Sequence, residues 1–120
     1  MAKDYKVSLL YDFYGNMLTD KQRDAIELYY NADLSLGEIA DDLGISRQGV
    51  RDNIKRSEAI LFDAEERLGL LDKWKKSEKA LDDIIEHANN ILSYSLKYSS
   101  SPEIEKNASD IIKIAKSLFD

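Results

Sequence analysis

Apolar residues recur along this chain at helical spacing, and short polar or glycine-containing stretches interrupt them. The first such series predicts a helix over residues 4–14, with Gly15 as its C-terminal glycine. Its members, at i, i+3, i+4 and i+7, are Val7, Leu10, Tyr11 and Tyr14. Thr19 and Gln22 have the spacing of a capping box, which predicts a second helix that runs to about Tyr30.

Two further helices have the spacing of a helix-turn-helix. Ser35 and Glu38 form a second capping box, and Gly44 ends the short helix that follows. Ser46 then caps a longer helix, with Ile45 before it as a buried spacer. Because a helix-turn-helix requires a turn residue that tolerates positive φ and a second helix with outward-facing N-terminal side chains, this stretch predicts that motif.

The pattern changes at Gly69, where the longer helix ends. Residues 71–96 carry one continuous apolar stripe, and Ser101-Pro102-Glu103 has the form of an N-cap, an N1 proline and an acidic first turn that begin a last helix. We therefore predict a helix-turn-helix domain over residues 1–69 and a C-terminal helical extension over residues 70–120 that mediates oligomerisation.

Composition supports an all-α fold and limits the classes of function that the chain can have. Apolar residues make up 43% of the chain, with one proline and five glycines among strong helix formers. The absence of cysteine, of an N-terminal leader and of a long apolar run predicts a cytoplasmic protein with no membrane insertion. His87 is the single histidine, and no phosphate loop, catalytic set or metal-ligand pattern occurs, so we expect no enzyme activity, catalytic residue, cofactor or metal.

The charge distribution points to one candidate site. The net charge is −6, yet the stretch from Ile45 to Ser57 holds four basic residues and one acidic residue. Since Val50 and Ile54 face inward, polar side chains that suit phosphates and base edges remain outside. The predicted DNA-binding residues are Ser46, Arg47, Gln48, Arg51, Lys55 and Arg56. The alternative, that these are ordinary solvated helix charges, stays open at this stage.

Two known families share these features. Residues 18–61, with Leu36-Gly37-Glu38-Ile39-Ala40 and Ser46-Arg47-Gln48-Gly49-Val50-Arg51 at their centre, resemble region 4 of bacterial sigma factors, which reads the −35 promoter element. Together with Leu9-Leu10-Tyr11-Asp12-Phe13-Tyr14-Gly15, they make nearly the whole chain similar to the YlxM family of Firmicute bacteria. The resemblance implies an all-helical DNA-binding protein, linked to the signal recognition particle pathway by the position of the family's genes.

Two functions follow as hypotheses. The first is a DNA-binding regulatory protein that acts as a homodimer through its C-terminal helices. The second is a protein or RNA interaction module of the signal recognition particle pathway, in which the helix-turn-helix serves as a scaffold. The net acidity of the chain motivates the second hypothesis, because nucleic-acid binders are usually basic.

Overall fold

The computed structural model describes residues 1–119, apart from the side chain at position 99. Six α-helices and no β-strand occur in this range, so the all-α prediction is confirmed. The helices are α1 (Lys6–Tyr14), α2 (Asp20–Ile26), α3 (Leu36–Leu43), α4 (Arg47–Leu68), α5 (Leu70–Tyr94) and α6 (Pro102–Ser117). No helix of the described range is long and apolar enough to cross a membrane.

The helix starts follow the predicted caps. Thr19 and Gln22 form a complete capping box at α2, and Ser101 caps α6 with Pro102 at its first position. In each case a side-chain oxygen accepts a backbone N–H that has no partner within the helix. These short-range hydrogen bonds explain why the helices begin where the sequence predicts.

Two helix ends differ from the expected form. Gly15 is not a left-handed C-terminal glycine: its φ is −54°, and the chain continues as a 3₁₀ turn over Gly15–Met17. The ring of Tyr11 lies close to the position that a Cβ of this glycine would occupy, at 3.1 Å. The second helix, predicted to run to about Tyr30, ends as an α-helix at Ile26 and continues as a π-helical turn over Glu27–Asn31, in which Tyr29 and Tyr30 are buried.

The chain divides into two compact units, Met1–Leu71 and the residues from Asp72 onward. In the first unit, α4 contacts α1, α2 and α3. Its inward residues Val50, Ile54 and Leu61 are fully buried. Helix α4 is therefore the central element of this unit, and its buried side chains are stabilised by the hydrophobic effect.

The second unit contains most of α5 together with α6. A π-helical turn over Ser95–Ser99 follows α5 and leads to Ser100. The buried positions of these helices are small, namely Ala88, Ser95, Ala108 and Ala115. Most of the larger apolar residues of the predicted stripes are exposed, including Ile84, Ile91, Ile104, Ile111 and Leu118.

Candidate nucleic-acid interface

The helix-turn-helix is built by three local interactions. At α3, the Oγ of Ser35 accepts the N–H of Glu38 at 3.1 Å, and the carboxylate of Glu38 accepts the N–H of Ser35 at 3.2 Å. Gly44 ends α3 with a φ of +68°, a left-handed conformation that side chains with a Cβ rarely adopt. The Oγ of Ser46 then accepts the N–H of Gly49 at 3.0 Å and starts α4. The predicted motif is therefore present.

Apolar side chains hold the two helices of the motif together. Ile39 on α3 and Val50 and Ile54 on α4 are fully buried, and the small Ala40 is also buried. Ile45 is not the buried spacer that the sequence predicts, because 45% of it is exposed. The left-handed turn at Gly44 carries Ile45 to the rim of the motif, beside the first turn of α4.

All six predicted DNA-contacting residues lie on the exposed surface of α4 or at its N-cap. Arg47, Arg51 and Lys55 follow each other at intervals of four residues, so they share one side of the helix. In the described part of the chain, none of the basic residues of this face forms an ion pair with a carboxylate. By contrast, Arg23 and Arg67 are paired with Asp20 and Asp63.

Two of the predicted residues already make hydrogen bonds within the chain. The Oγ of Ser46 serves as the helix cap, which leaves its O–H able to donate to a phosphate. The amide of Gln48 donates to the carboxylate of Asp52 at 2.9 Å. A bidentate contact of Gln48 with an adenine would require this bond to open.

The helix-turn-helix also carries exposed carboxylates. Asp41 and Asp42 are exposed near the end of α3, and Asp52 lies one turn into α4. Such negative charges would oppose a phosphate backbone. Among the described residues, no group of three or more His, Cys, Asp or Glu side chains could hold a metal ion.

Three polar contacts of α4 were not predicted from the sequence. The amide of Asn53 donates to the backbone oxygen of Lys21 at 3.3 Å, and the buried hydroxyl of Ser57 donates to the backbone oxygen of Asn53 at 2.8 Å. The hydroxyl of Tyr30 donates to Glu58 at 2.9 Å, and burial together with this bond raises the pKa of Tyr30. The contacts of Asn53 with Lys21 and of Tyr30 with Glu58 join residues about 30 positions apart, so no local sequence pattern indicates these two.

Comparison with known proteins agrees with this geometry. Residues 1–99 match the UPF0122 family, described as "Putative helix-turn-helix protein, YlxM / p13 like". A UPF0122 protein of Desulforamulus reducens is 47% identical over 71% of this chain and 73% of its own length. One of Acetivibrio thermocellus is 48% identical over 76% and 78%, and one of Exiguobacterium sibiricum is 51% identical over 70% and 79%. The chain therefore belongs to the UPF0122 family of YlxM-like helix-turn-helix proteins.

Proposed function

We propose that this protein is a cytoplasmic DNA-binding regulator that places the exposed face of α4 in the major groove. The observation that carries the proposal is the set of four basic side chains on α4 that have no carboxylate partner in the described residues. An exposed recognition helix with unpaired cations is the arrangement that sigma region 4 and other helix-turn-helix proteins use.

The side chains of this face suit contacts with DNA phosphates and contacts with base edges. Arg51, Lys55 and Arg56 have the charge and reach for phosphates, and neutralising phosphates releases counterions. Arg47, in the first turn of α4, lies where recognition helices contact base edges, and arginine pairs with guanine through two hydrogen bonds. Both contacts would be made with little rearrangement, because the side chains are already exposed.

Electrophoretic retention of bacterial genomic fragments at two salt concentrations tests the proposal. We expect wild-type retention to fall as salt rises, and Arg47→Ala with Arg51→Ala to abolish it. A matched control, Lys73→Ala with Lys75→Ala, also removes two positive charges, but from exposed positions of α5, and should leave retention unchanged. Absence of retention by the wild type at low salt would refute DNA binding.

We also propose that the second unit joins two copies into a homodimer. Exposed apolar residues recur every seven residues within each segment: Ile84 and Ile91 on α5, and Ile104, Ile111 and the C-cap Leu118 along α6. This is the spacing with which helices pack against one another. Residues 68–120 carry eight basic and nine acidic residues, so two copies meet with little charge repulsion. A dimer doubles the phosphate contacts and fixes the spacing of two half-sites.

Light scattering on the full chain tests the dimer. Ile91→Asp with Ile111→Asp places charges on the exposed apolar residues and should yield a monomer with unchanged helix content. Met17→Asp, at an exposed position of the first unit, is the control and should remain dimeric. A monomeric wild type, or a double variant that still dimerises, would contradict the assignment of this surface.

The acidity of the chain favours a second candidate, a protein or RNA interaction module of the signal recognition particle pathway. Residues 19–67, which include the helix-turn-helix, hold seven basic and twelve acidic residues. Such a surface repels bare nucleic acid except at α4 and suits a basic protein partner. Co-elution with purified components of the particle, under salt conditions in which DNA is not retained, would support this candidate over the first.

A further inference from the structure

The guanidinium of Arg47 lies against the first turn of α3, over Gly37. A Cβ built on Gly37 would stand 2.9 Å from Nη2, 3.0 Å from Nε and 3.1 Å from Cζ of Arg47. Cζ, the central atom of the group, is the farthest of the three, so the Nε–Nη2 side of the guanidinium is the side turned toward Gly37. The Nη1 amino group is not among the three nearest atoms and remains available to other partners.

Backbone conformation does not account for a glycine at position 37. The left-handed glycines of the described chain are Gly44 and Gly69, and Gly37 is not among them. A glycine within a helix lowers its stability relative to alanine. The close approach of Arg47 is the feature at this position that a Cβ would prevent.

We infer that Gly37 is a positioning residue for Arg47. Its missing Cβ allows the guanidinium to lie close against α3 with Nη1 farther from Gly37, and this close approach restricts the motion of the long side chain. A group that is already oriented loses less conformational entropy when it binds. This inference rests on the proposed DNA binding, in which Arg47 makes the contact and Gly37 touches no DNA.

The NMR resonance of the Arg47 side chain in the full-length protein reports whether that side chain is positioned in the absence of DNA. In ¹⁵N-arginine-labelled protein, Arg47→Ala identifies the Nε resonance of Arg47 among the five arginines. Gly37→Ala should shift this resonance toward the position of a freely solvated arginine. The thermal midpoint should stay the same or rise, because alanine favours the helix and the displaced group is the flexible end of a side chain. An unshifted Arg47 resonance would overturn the inference.

DNA binding supplies the second measurement, with the genomic fragments that the wild type retains as the probe. Gly37→Ala should weaken retention by about fivefold or more, the lower end of what one well-oriented arginine contact contributes. In the Arg47→Ala background, Gly37→Ala should have no further effect, since its action passes through Arg47. A loss that persists in that background would also overturn the inference.

The two proposals fail in different ways. If the wild type retains no DNA, DNA binding is refuted and the role of Gly37 in it falls, while a shifted arginine resonance still upholds the contact between the two residues. If the wild type retains DNA and Gly37→Ala retains it equally well, DNA binding stands and the positioning role is refuted. Arg47→Lys provides a further check, because its slender ammonium should make retention less sensitive to Gly37→Ala.

Discussion

Replacing Tyr14 by phenylalanine removes one hydroxyl that connects α1 with α4 and with Leu70, the first residue of α5. Tyr14 is buried, and its hydroxyl donates to Glu65 on α4 at 2.7 Å and accepts the N–H of Leu70 at 3.0 Å. The same carboxylate oxygen of Glu65 accepts the N–H of Leu71 at 3.0 Å. Tyr14 and Glu65 together therefore cap the start of α5, whose first N–H groups have no acceptor within the helix.

The expected cost follows from the bonds lost. A hydrogen bond to a charged group stabilises a folded protein by about 1.5–3 kcal/mol, and the buried ring of the Tyr14→Phe variant keeps its apolar contacts. We therefore expect a loss of about 2 kcal/mol, or roughly 10 °C in the midpoint of a thermal melt followed by circular dichroism.

Tyr11→Phe is the matched control for this experiment. The hydroxyl of Tyr11 donates to Glu27 at 2.5 Å in an exposed pair with no backbone N–H attached to it. Solvent screens such a pair, so its loss should cost well under about 1 kcal/mol. Equal changes for the two variants, or a change below about 3 °C for Tyr14→Phe, would refute the assignment of a capping role to Tyr14.

Three other predictions concern the same unit. Burial and hydrogen bonds to carboxylates raise the pKa of Tyr14 and Tyr30 and raise that of Tyr11 to about 12. Because the folded state holds these phenols protonated, the free energy of unfolding should be constant up to about pH 10 and fall as the pH rises further. Urea unfolding at a series of pH values measures this decrease. Tyr30→Phe should make the free energy of unfolding fall less steeply with pH. An unchanged dependence on pH would show that Tyr30 does not contribute to the decrease. Ser35→Ala should lower the free energy of unfolding by about 1 kcal/mol through loss of the α3 cap, whereas Ser35→Asp should retain it. Gly44→Ala should cost about 1–2 kcal/mol from backbone strain alone, since no atom lies within 4 Å of the added Cβ. Gly44→Asn should cost less, and the opposite order in urea unfolding would contradict that explanation.

The parts of the fold that sequence reasoning predicted correctly are those determined within a few residues. The caps at Thr19, Ser35, Ser46 and Ser101 each join positions three residues apart, so the residue types and their spacing are sufficient to identify them. The inward positions of α4 are predicted for a similar reason, because helical periodicity alone separates Val50 and Ile54 from their outward neighbours.

The incorrect and missing predictions concern features that depend on tertiary packing rather than on local sequence. The sequence pattern places Tyr14 in the apolar series of α1, but it does not indicate the bond to Glu65, which joins residues 51 positions apart. Ile45 has the residue type of a spacer, but the direction of the chain after Gly44 decides its exposure. The contact of Arg47 with Gly37 depends on how α3 and α4 cross, which periodicity does not specify.

The order of charges along α4 explains how a chain with a net charge of −6 has a basic face on this helix. Helix dipoles favour acidic residues in the first turn, as in α2 with Asp20, α3 with Glu38 and α6 with Glu103. Helix α4 has no acidic residue there and begins with Arg47, an order that lowers its own stability. Farther along α4, Glu58 and Glu65 accept tyrosine hydroxyls, so part of the acidity serves the fold. A phosphate at the N-terminal half would compensate both the dipole and the cations, which supports an external anion as the partner of this face.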